Sequence, residues 1–183
     1  MDKQQLRNQI KESLKKVSDN DLKTYSEIIL LNLVSIIKKN PEIKNILSYT
    51  PHFQGEIDLL PLENIFKDTH NFFYPVIANN NLEFYKRTNF EKFIIGKFGI
   101  LEPHKDECFI VESHTPAIVL IPGLAFDSKN NRLGRGLGYY DKFLSINKSA
   151  NLIKIGVCLE FQMFEYVPID SNDIKMDLVL FPK

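Results

Sequence analysis

The chain has 183 residues, the length of one domain. With 44% hydrophobic residues, 14 Phe and 7 Tyr it has the apolar area for a core, which excludes disorder, and 8 Gly and 9 Pro exclude a collagen-like or low-complexity chain. Its 23 Lys and Arg balance 23 Asp and Glu, so no net field draws it to nucleic acid or to an anionic membrane.

In chain order, the segment from about Lys3 to Lys16 carries Leu6, Ile10, Leu14 and Val17, the apolar stripe of an amphipathic helix. Ser18-Asp19-Asn20-Asp21 offers caps for a second helix running to about Lys39, before Pro41. Its centre is apolar nearly all round, which predicts deep burial. Beyond Pro41 the apolar runs shorten. Ile46 to Tyr49 predicts a strand and Asp58 to Lys67 a helix. Phe72 to Ile77 predicts a strand that Pro75 pushes toward a sheet edge, and Leu82 to Lys86 a further short one. Ala117 to Ile121 reads as a buried strand ended by Pro122-Gly123, with a helix over Tyr139 to Ser145. Ile153 to Leu159 and Leu178 to Phe181 read as the last strands. Strands alternating with helices, without repeat or linker, predict one three-layer α/β domain with a largely parallel sheet.

Cys108 and Cys158 are too few for a disulfide framework or a four-thiolate zinc site, and both sit beside apolar residues, as buried small hydrophobes do. No CxxC or HExxH occurs. Met1 to Gln5 has no apolar signal region, and Ile28 to Ile37 is too short to span a bilayer. A soluble cytoplasmic protein is expected. His52, His70, His104 and His114 are scattered without metal-ligand spacing and read as surface or loop residues. His52, four residues before Glu56, is the one nearest a candidate site.

The chemistry concentrates in Ile121 to Leu144, IPGLAFDSKNNRLGRGLGYYDKFL. Gly134, Gly136 and Gly138 alternate, which lets backbone N–H groups converge on an anion without a Cβ in the way. Arg132 and Arg135 add fixed cationic forks suited to phosphate, and a helix starting after Gly138 would aim its first N–H groups at the same anion. Neither GxxxxGK[ST] nor GxGxxG is present, so spacing leaves the ligand open, and a Gly-rich surface turn with solvated arginines fits it as well. Asp127 and Asp141 can hold Mg²⁺ against phosphate or pair with Arg. Tyr139 and Tyr140 can pack in the core or stack on a heterocycle.

This stretch closely resembles the signature of the 5-formyltetrahydrofolate cyclo-ligase family (5,10-methenyltetrahydrofolate synthetases). Lys3-Gln4-Gln5-Leu6-Arg7 resembles the family's K-x-x-L-R, Tyr49 through Glu56-Ile57 its Y…E-I segment, and Gly99-Ile100-Leu101-Glu102-Pro103 its G-I-x-E-P segment. Glu160-Phe161-Gln162, Val167-Pro168, Asn172-Asp173 and Asp177 follow its C-terminal pattern in order. One departure is the turn after Asp127, where a Gly is expected and Asn130-Asn131 stands; Asn is the non-Gly residue most tolerant of the left-handed region.

The resemblance implies a single cyclo-ligase domain over residues 1–183. Its α/β/α sandwich, with a parallel or mixed sheet, would be related to the sugar-phosphate isomerase and CoA-transferase architecture. It implies conversion of 5-formyltetrahydrofolate and ATP to 5,10-methenyltetrahydrofolate, ADP and phosphate with Mg²⁺, by phosphorylation of the formyl oxygen and ring closure through N10. ATP would be held by Lys3, Arg7, Arg132, Gly134, Arg135, Gly136, Gly138, Tyr139 and Tyr140. The folate, polyglutamylated or not, would meet Glu56, Arg135, Gly136 and Tyr139. Mg²⁺ would sit on Asp141 and Asp173, and Arg135 and Tyr139 would act at the reacting centre. The chain would act as a monomer without nucleic acid or membrane. Two other readings compete: an ATP-independent enzyme on a similar scaffold, which leaves Lys3 and Arg7 unexplained, and a binding protein that turns over neither ligand.

Overall fold

Helix caps and apolar spacing fix the first two elements. A computed structural model describes residues 1–87, 93–103, 115–148 and 150–182. Helix α1 (Lys3–Leu14) opens with a capping box: the Asp2 carboxylate accepts the Gln5 N–H, and the Gln5 side chain accepts the Asp2 N–H. Leu6, Ile10 and Leu14 form the expected buried stripe. Helix α2 (Asp19–Lys39) is capped by Ser18 and ends at its two lysines. Its burial is narrower than its composition predicts. Ser26, Ile29, Leu33 and Ile37 form one buried line, while Leu31 stays 72% exposed, because the helix lies on the outside of the layer and packs along one face.

The strands follow as β1 (Asn45–Leu47), then, after helix α3 (Leu60–Phe66), β2 (Asn71–Ala78) and β3 (Asn81–Lys86). A hairpin of β4 (Phe93–Ile95) and β5 (Leu101–Pro103) comes next, then β6 (Ala117–Pro122), β7 (Ala125–Asp127) and β8 (Arg132–Leu133). Helix α4 (Tyr139–Ile146), β9 (Leu152–Val157), β10 (Met163–Phe164) and β11 (Leu178–Leu180) complete the described elements. The main sheet has the order β11-β9-β6-β1-β2-β3, parallel throughout except for β3. Ile46, Ile118, Leu120 and Ile155 pack with residues of α1, α2 and α3. Leu47, Val119 and Ile121 join Phe143 and Leu144 of α4 in a separate cluster. The result is the expected three-layer α/β/α arrangement with a mostly parallel sheet.

Pro75 does not put β2 at an edge: β2 lies between β1 and β3. Its missing N–H is harmless there. The Arg87 N–H bonds the Phe72 carbonyl, so by antiparallel alternation residue 75 faces away from β3. On that side the pairing of β1 has already ended at Phe73.

The chain leaves β1 through α3 toward β2, and leaves β6 through α4 toward β9. These adjacent strands thus send their crossovers in opposite directions and onto opposite faces. Such a switch point opens a crevice beyond the carboxyl ends of the two strands, the usual ligand position in open α/β sheets. Residues 48–51 and 122–123 emerge there.

Asn130 adopts φ 61, so asparagine does supply the left-handed residue of the β7–β8 turn. Cys158 is buried, and burial pushes its thiol pKa up to about 12, in keeping with a packing role. Cys108, His104 and His114 lie outside the described residues. None of the described helices is long and apolar enough to cross a membrane.

The fully buried Phe126 ring on β7 fits between two glycines. A Cβ on Gly156 would lie 2.4 Å from this ring, and one on Gly123 2.5 Å from it. Gly156→Ala should therefore cost about 1–3 kcal/mol in urea denaturation through overpacking. Phe126→Leu added to that variant should recover part of the loss, whereas two independent lesions would add.

Candidate active site

A cavity of about 640 Å³ occupies the crevice at the switch point, within the size range of small-molecule sites. Its walls come from α1, the segments after β1 and β6, the glycine loop before α4, and the loop at residues 170–173. The residues assigned through the resemblance line it: Lys3, Arg7, Glu56, Arg132, Gly134, Arg135, Gly136, Gly138, Tyr139, Tyr140, Asp141 and Asp173. Asp127, the other acidic candidate, does not: it is buried, and its carboxylate accepts the Lys129, Asn131 and Val167 N–H groups.

The glycine loop is held at both ends by one ion pair. Arg132 donates from Nη2 to Asp141 Oδ2 at 2.7 Å and from Nη1 to the Pro122 carbonyl at 3.3 Å. Its side chain is only 3% exposed, so much of the guanidinium is already engaged by protein. Between the partners, Gly136 and Gly138 take φ 108 and 68, a region that side chains rarely enter. Gly138 is the left-handed residue from which α4 starts.

Arg135 points from this loop to the segment after β1. Its Nε and Nη2 donate to Glu56 Oε1 at 3.3 and 3.1 Å, and its guanidinium lies 3.6 Å from the centroid of the Phe53 ring. The second Glu56 oxygen accepts the backbone N–H groups of His52 and Phe53 at 3.0 and 3.1 Å. The carboxylate therefore aims Arg135 and also shapes its own loop. His52 contributes here through its backbone, and its ring lines the cavity.

Helix α1 supplies the opposite wall. Arg7 Nε donates to the Gly134 carbonyl at 3.0 Å. Lys3 Nζ reaches Asp170 at 2.6 Å and Asp173 at 2.5 Å. Burial opposes the charge on Lys3, but hydrogen bonds to Asp170 and Asp173 outweigh it and raise the ammonium above its ordinary pKa. Burial, reinforced by the Glu56 charge, likewise raises the phenols of Tyr49 and Tyr140, which stay neutral.

Asp170, Phe53 and Glu102 are among the lining residues to which the sequence assigned no role. Asp170 shares Lys3 with Asp173, and its position three residues upstream was the available signal. Phe53 had no signal beyond lying between His52 and Glu56. Glu102 stood in a matched segment without an assigned role. Gln162 and Val167 of the C-terminal pattern are structural. The Gln162 amide donates to the Gly123 and Leu124 carbonyls, and the Val167 N–H to Asp127.

Among the described residues, no three His, Cys, Asp or Glu side chains gather as a preformed cation site. Magnesium that arrives on nucleotide phosphates needs only one or two protein carboxylates. Asp141 and Asp173, with Asp170 beside them, line the same cavity and suit that donor set.

The 5-formyltetrahydrofolate cyclo-ligase family model matches residues 1–182. The chain is 32% identical to a Schizosaccharomyces pombe protein named "Probable 5-formyltetrahydrofolate cyclo-ligase", over 99% of this chain and 95% of that one. It is 29% identical to the 5-formyltetrahydrofolate cyclo-ligase of Mycoplasma genitalium, over 91% of each. The NMR structure of Aquifex aeolicus 5,10-methenyltetrahydrofolate synthetase superposes with a TM-score of 0.84 at 31% identity, covering 99% of this chain and 90% of that one. The Mycoplasma pneumoniae 5,10-methenyltetrahydrofolate synthetase gives 0.79 at 25% identity, with 98% of each covered.

The Arg132–Asp141 pair carries a consequence for stability that is separate from any reaction. Arg132→Ala leaves the Asp141 carboxylate with little solvent and no cation, and should lower the unfolding free energy by about 3–5 kcal/mol in urea titration. A loss under about 1 kcal/mol would show that the pair behaves as a surface ion pair.

Proposed function

The chain belongs to the 5-formyltetrahydrofolate cyclo-ligase family, an enzyme family, and from that premise we propose that it cyclises 5-formyltetrahydrofolate to 5,10-methenyltetrahydrofolate at the expense of ATP, with Mg²⁺. The observation that carries this reading is Arg135, held by Glu56 and Phe53 in the same cavity as Lys3 and Arg7. Fixed cations around an otherwise mixed apolar cavity suit the meeting of a phosphoryl donor and a flat heterocycle.

The oxygen of an N-formyl group is a poor leaving group from its carbon. The proposed reaction solves this in two displacements. The formyl oxygen attacks the γ-phosphorus, the bond from that phosphorus to the bridging oxygen breaks, and ADP departs. N10 then attacks the formyl carbon, the bond from carbon to the phosphorylated oxygen breaks, and phosphate departs. N10 loses its proton, leaving the N5–C–N10 amidinium. Such chemistry asks the protein chiefly for alignment and charge stabilisation.

Each side chain then has a part. Arg135 counters charge on the transferring phosphoryl group and, with Gly136, Tyr139 and Glu56, borders the formyl end of the folate. Lys3, Arg7 and the loop from Arg132 to Tyr140 hold the nucleotide. Arg132, buried against Asp141, does so by shaping the loop as well as by charge. Asp141 and Asp173 would hold magnesium, which supplies positive charge to the phosphate oxygens. Arg7 also ties α1 to the glycine loop through the Gly134 carbonyl, which keeps the nucleotide-holding groups of the two elements together.

The test uses purified protein with 5-formyltetrahydrofolate and MgATP, and matched omissions of each component. The product amidinium absorbs where the substrate does not. Product should form only in the complete mixture. No product from folded, ATP-binding protein would remove the catalytic reading and favour a binding protein. In the active enzyme, Arg135→Ala should lower kcat/KM by roughly 10²–10³ while leaving the circular dichroism spectrum intact. Wild-type turnover in that variant would remove the role given to Arg135.

A further inference from the structure

Glu102 is a buried carboxylate with no cation paired to it among the described residues. The residue is 5% exposed, yet it lines the cavity together with Pro75, Ile77 and Leu82 of the β2–β3 hairpin. Among the described residues its one hydrogen bond is a long one, from the Ile77 N–H to Oε1 at 3.3 Å. Oε2 has no protein donor, and no ion pair reaches the side chain among the described residues. Lys3, Arg132 and Arg135, by contrast, each have an acidic partner.

This carboxylate is also held in position. The Thr50 hydroxyl donates to the Leu101 carbonyl at 2.8 Å, pinning β5 to the segment after β1. Gly96 packs so closely that a Cβ there would come within 2.1 Å of the Glu102 carboxyl carbon. A rigid, nearly buried acceptor with spare lone pairs is costly unless something supplies donors. The carboxylate has room for about four hydrogen bonds and receives one from the protein.

We propose that Glu102 reads the 2-amino and N3–H edge of the folate's pyrimidine ring. The inference rests on the cyclo-ligase reading of the same cavity. In the 4-oxo form of that ring, the exocyclic amine and N3–H are two parallel donors in one plane. A carboxylate accepts both together, as it does from a guanidinium fork. The apolar side chains of Ile77 and Leu82 beside it suit the flat ring faces. Glu102 is thus a specificity residue that fixes the ring, apart from the Glu56–Arg135 pair assigned to the formyl end.

The test compares Glu102→Gln and Glu102→Ala with the wild-type enzyme. Gln keeps the shape and the Ile77 contact but places a donor against a donor. Both variants should raise KM for 5-formyltetrahydrofolate about tenfold to a hundredfold, the range for hydrogen bonds to a charged group, with KM for ATP changed less than twofold. A 2-desamino-2-methyl analogue of the substrate supplies the decisive comparison. Wild type should discriminate against it by at least tenfold, and Glu102→Gln should lose most of that discrimination. Equal discrimination in wild type and variant would overturn the proposal and leave Glu102 a structural residue. An equal rise in KM for ATP would do the same. If wild type shows no turnover at all, the cyclo-ligase reading falls first. Calorimetric binding of the two folates to wild type and Glu102→Gln then decides the Glu102 proposal by the same ratio.

Discussion

The buried pair between Arg132 and Asp141 organises the rest of the site. It joins the end of β6, the β8 strand and the first turn of α4, because Arg132 reaches the Pro122 carbonyl as well as Asp141. Gly134, Gly136 and Gly138 lie between its partners, so the loop that borders the cavity is closed at its base by a charge pair in low dielectric. Glycine at 134 leaves room for this closure: a Cβ would come within 2.9 Å of Arg132 Nη1 and push on the guanidinium. Asp141 also accepts the Ile174 N–H at 3.3 Å, which carries the same anchor to the loop of Asp170 and Asp173. Breaking such a pair is costly because the surviving charge keeps its desolvation and loses its partner.

The cations of the cavity are ordered by how freely they can exchange partners. Arg132 is sealed, at 3% exposed, although Asp141 keeps 17% exposure toward the cavity. Arg135 is a quarter exposed, and Glu56 less. Lys3 shares its charge between Asp170, which is mostly in solvent, and Asp173, which is about as buried as Lys3 itself. An exposed ion pair contributes little and yields readily to a better anion, whereas a buried one does not. A triphosphate entering this cavity would thus compete more easily for Lys3 and Arg135 than for Arg132, which keeps the loop in shape. The zero net charge of the chain conceals this arrangement, since each of these cations carries its own counter-charge.

Local chemistry explains what could be read from the sequence. The capped helices α1 and α2, the apolar strand β6 and the start of α4 follow from periodicity, caps and glycine, all of which act within a few residues. The short strands β7, β8 and β10 did not stand out. They have two or three residues each, too few to show a period; β7 and β8 pair locally as a tight hairpin, while β10 finds its partner far back in the chain, Met163 with Phe126. Pro75 misled as an edge marker because only the length of the neighbouring strand β1 determines whether its missing N–H matters. The site residues came from the resemblance, while the glycine and arginine spacing gave only a phosphate cradle. Neither source showed that Glu56 binds Arg135 or that Lys3 holds both Asp170 and Asp173. These contacts depend on tertiary closure.

That closure is unusually long-range. Lys3 meets Asp170 and Asp173 across 167 and 170 residues, Arg7 meets Gly134 across 127, and Arg135 meets Glu56 across 79. No contiguous piece of the chain much shorter than the whole carries both the cradle and its clamp. Contacts of this separation are formed only after the intervening chain has given up its loop entropy. The left-handed turns at Gly136 and Gly138 are a matter of local geometry in the glycine loop. The charge constellation around it exists only when α1, the main sheet and the C-terminal loop have docked together. Competence of the cavity is consequently a property of the complete fold, and a lesion that loosens α1 from the sheet disturbs the site as directly as one in the glycine loop.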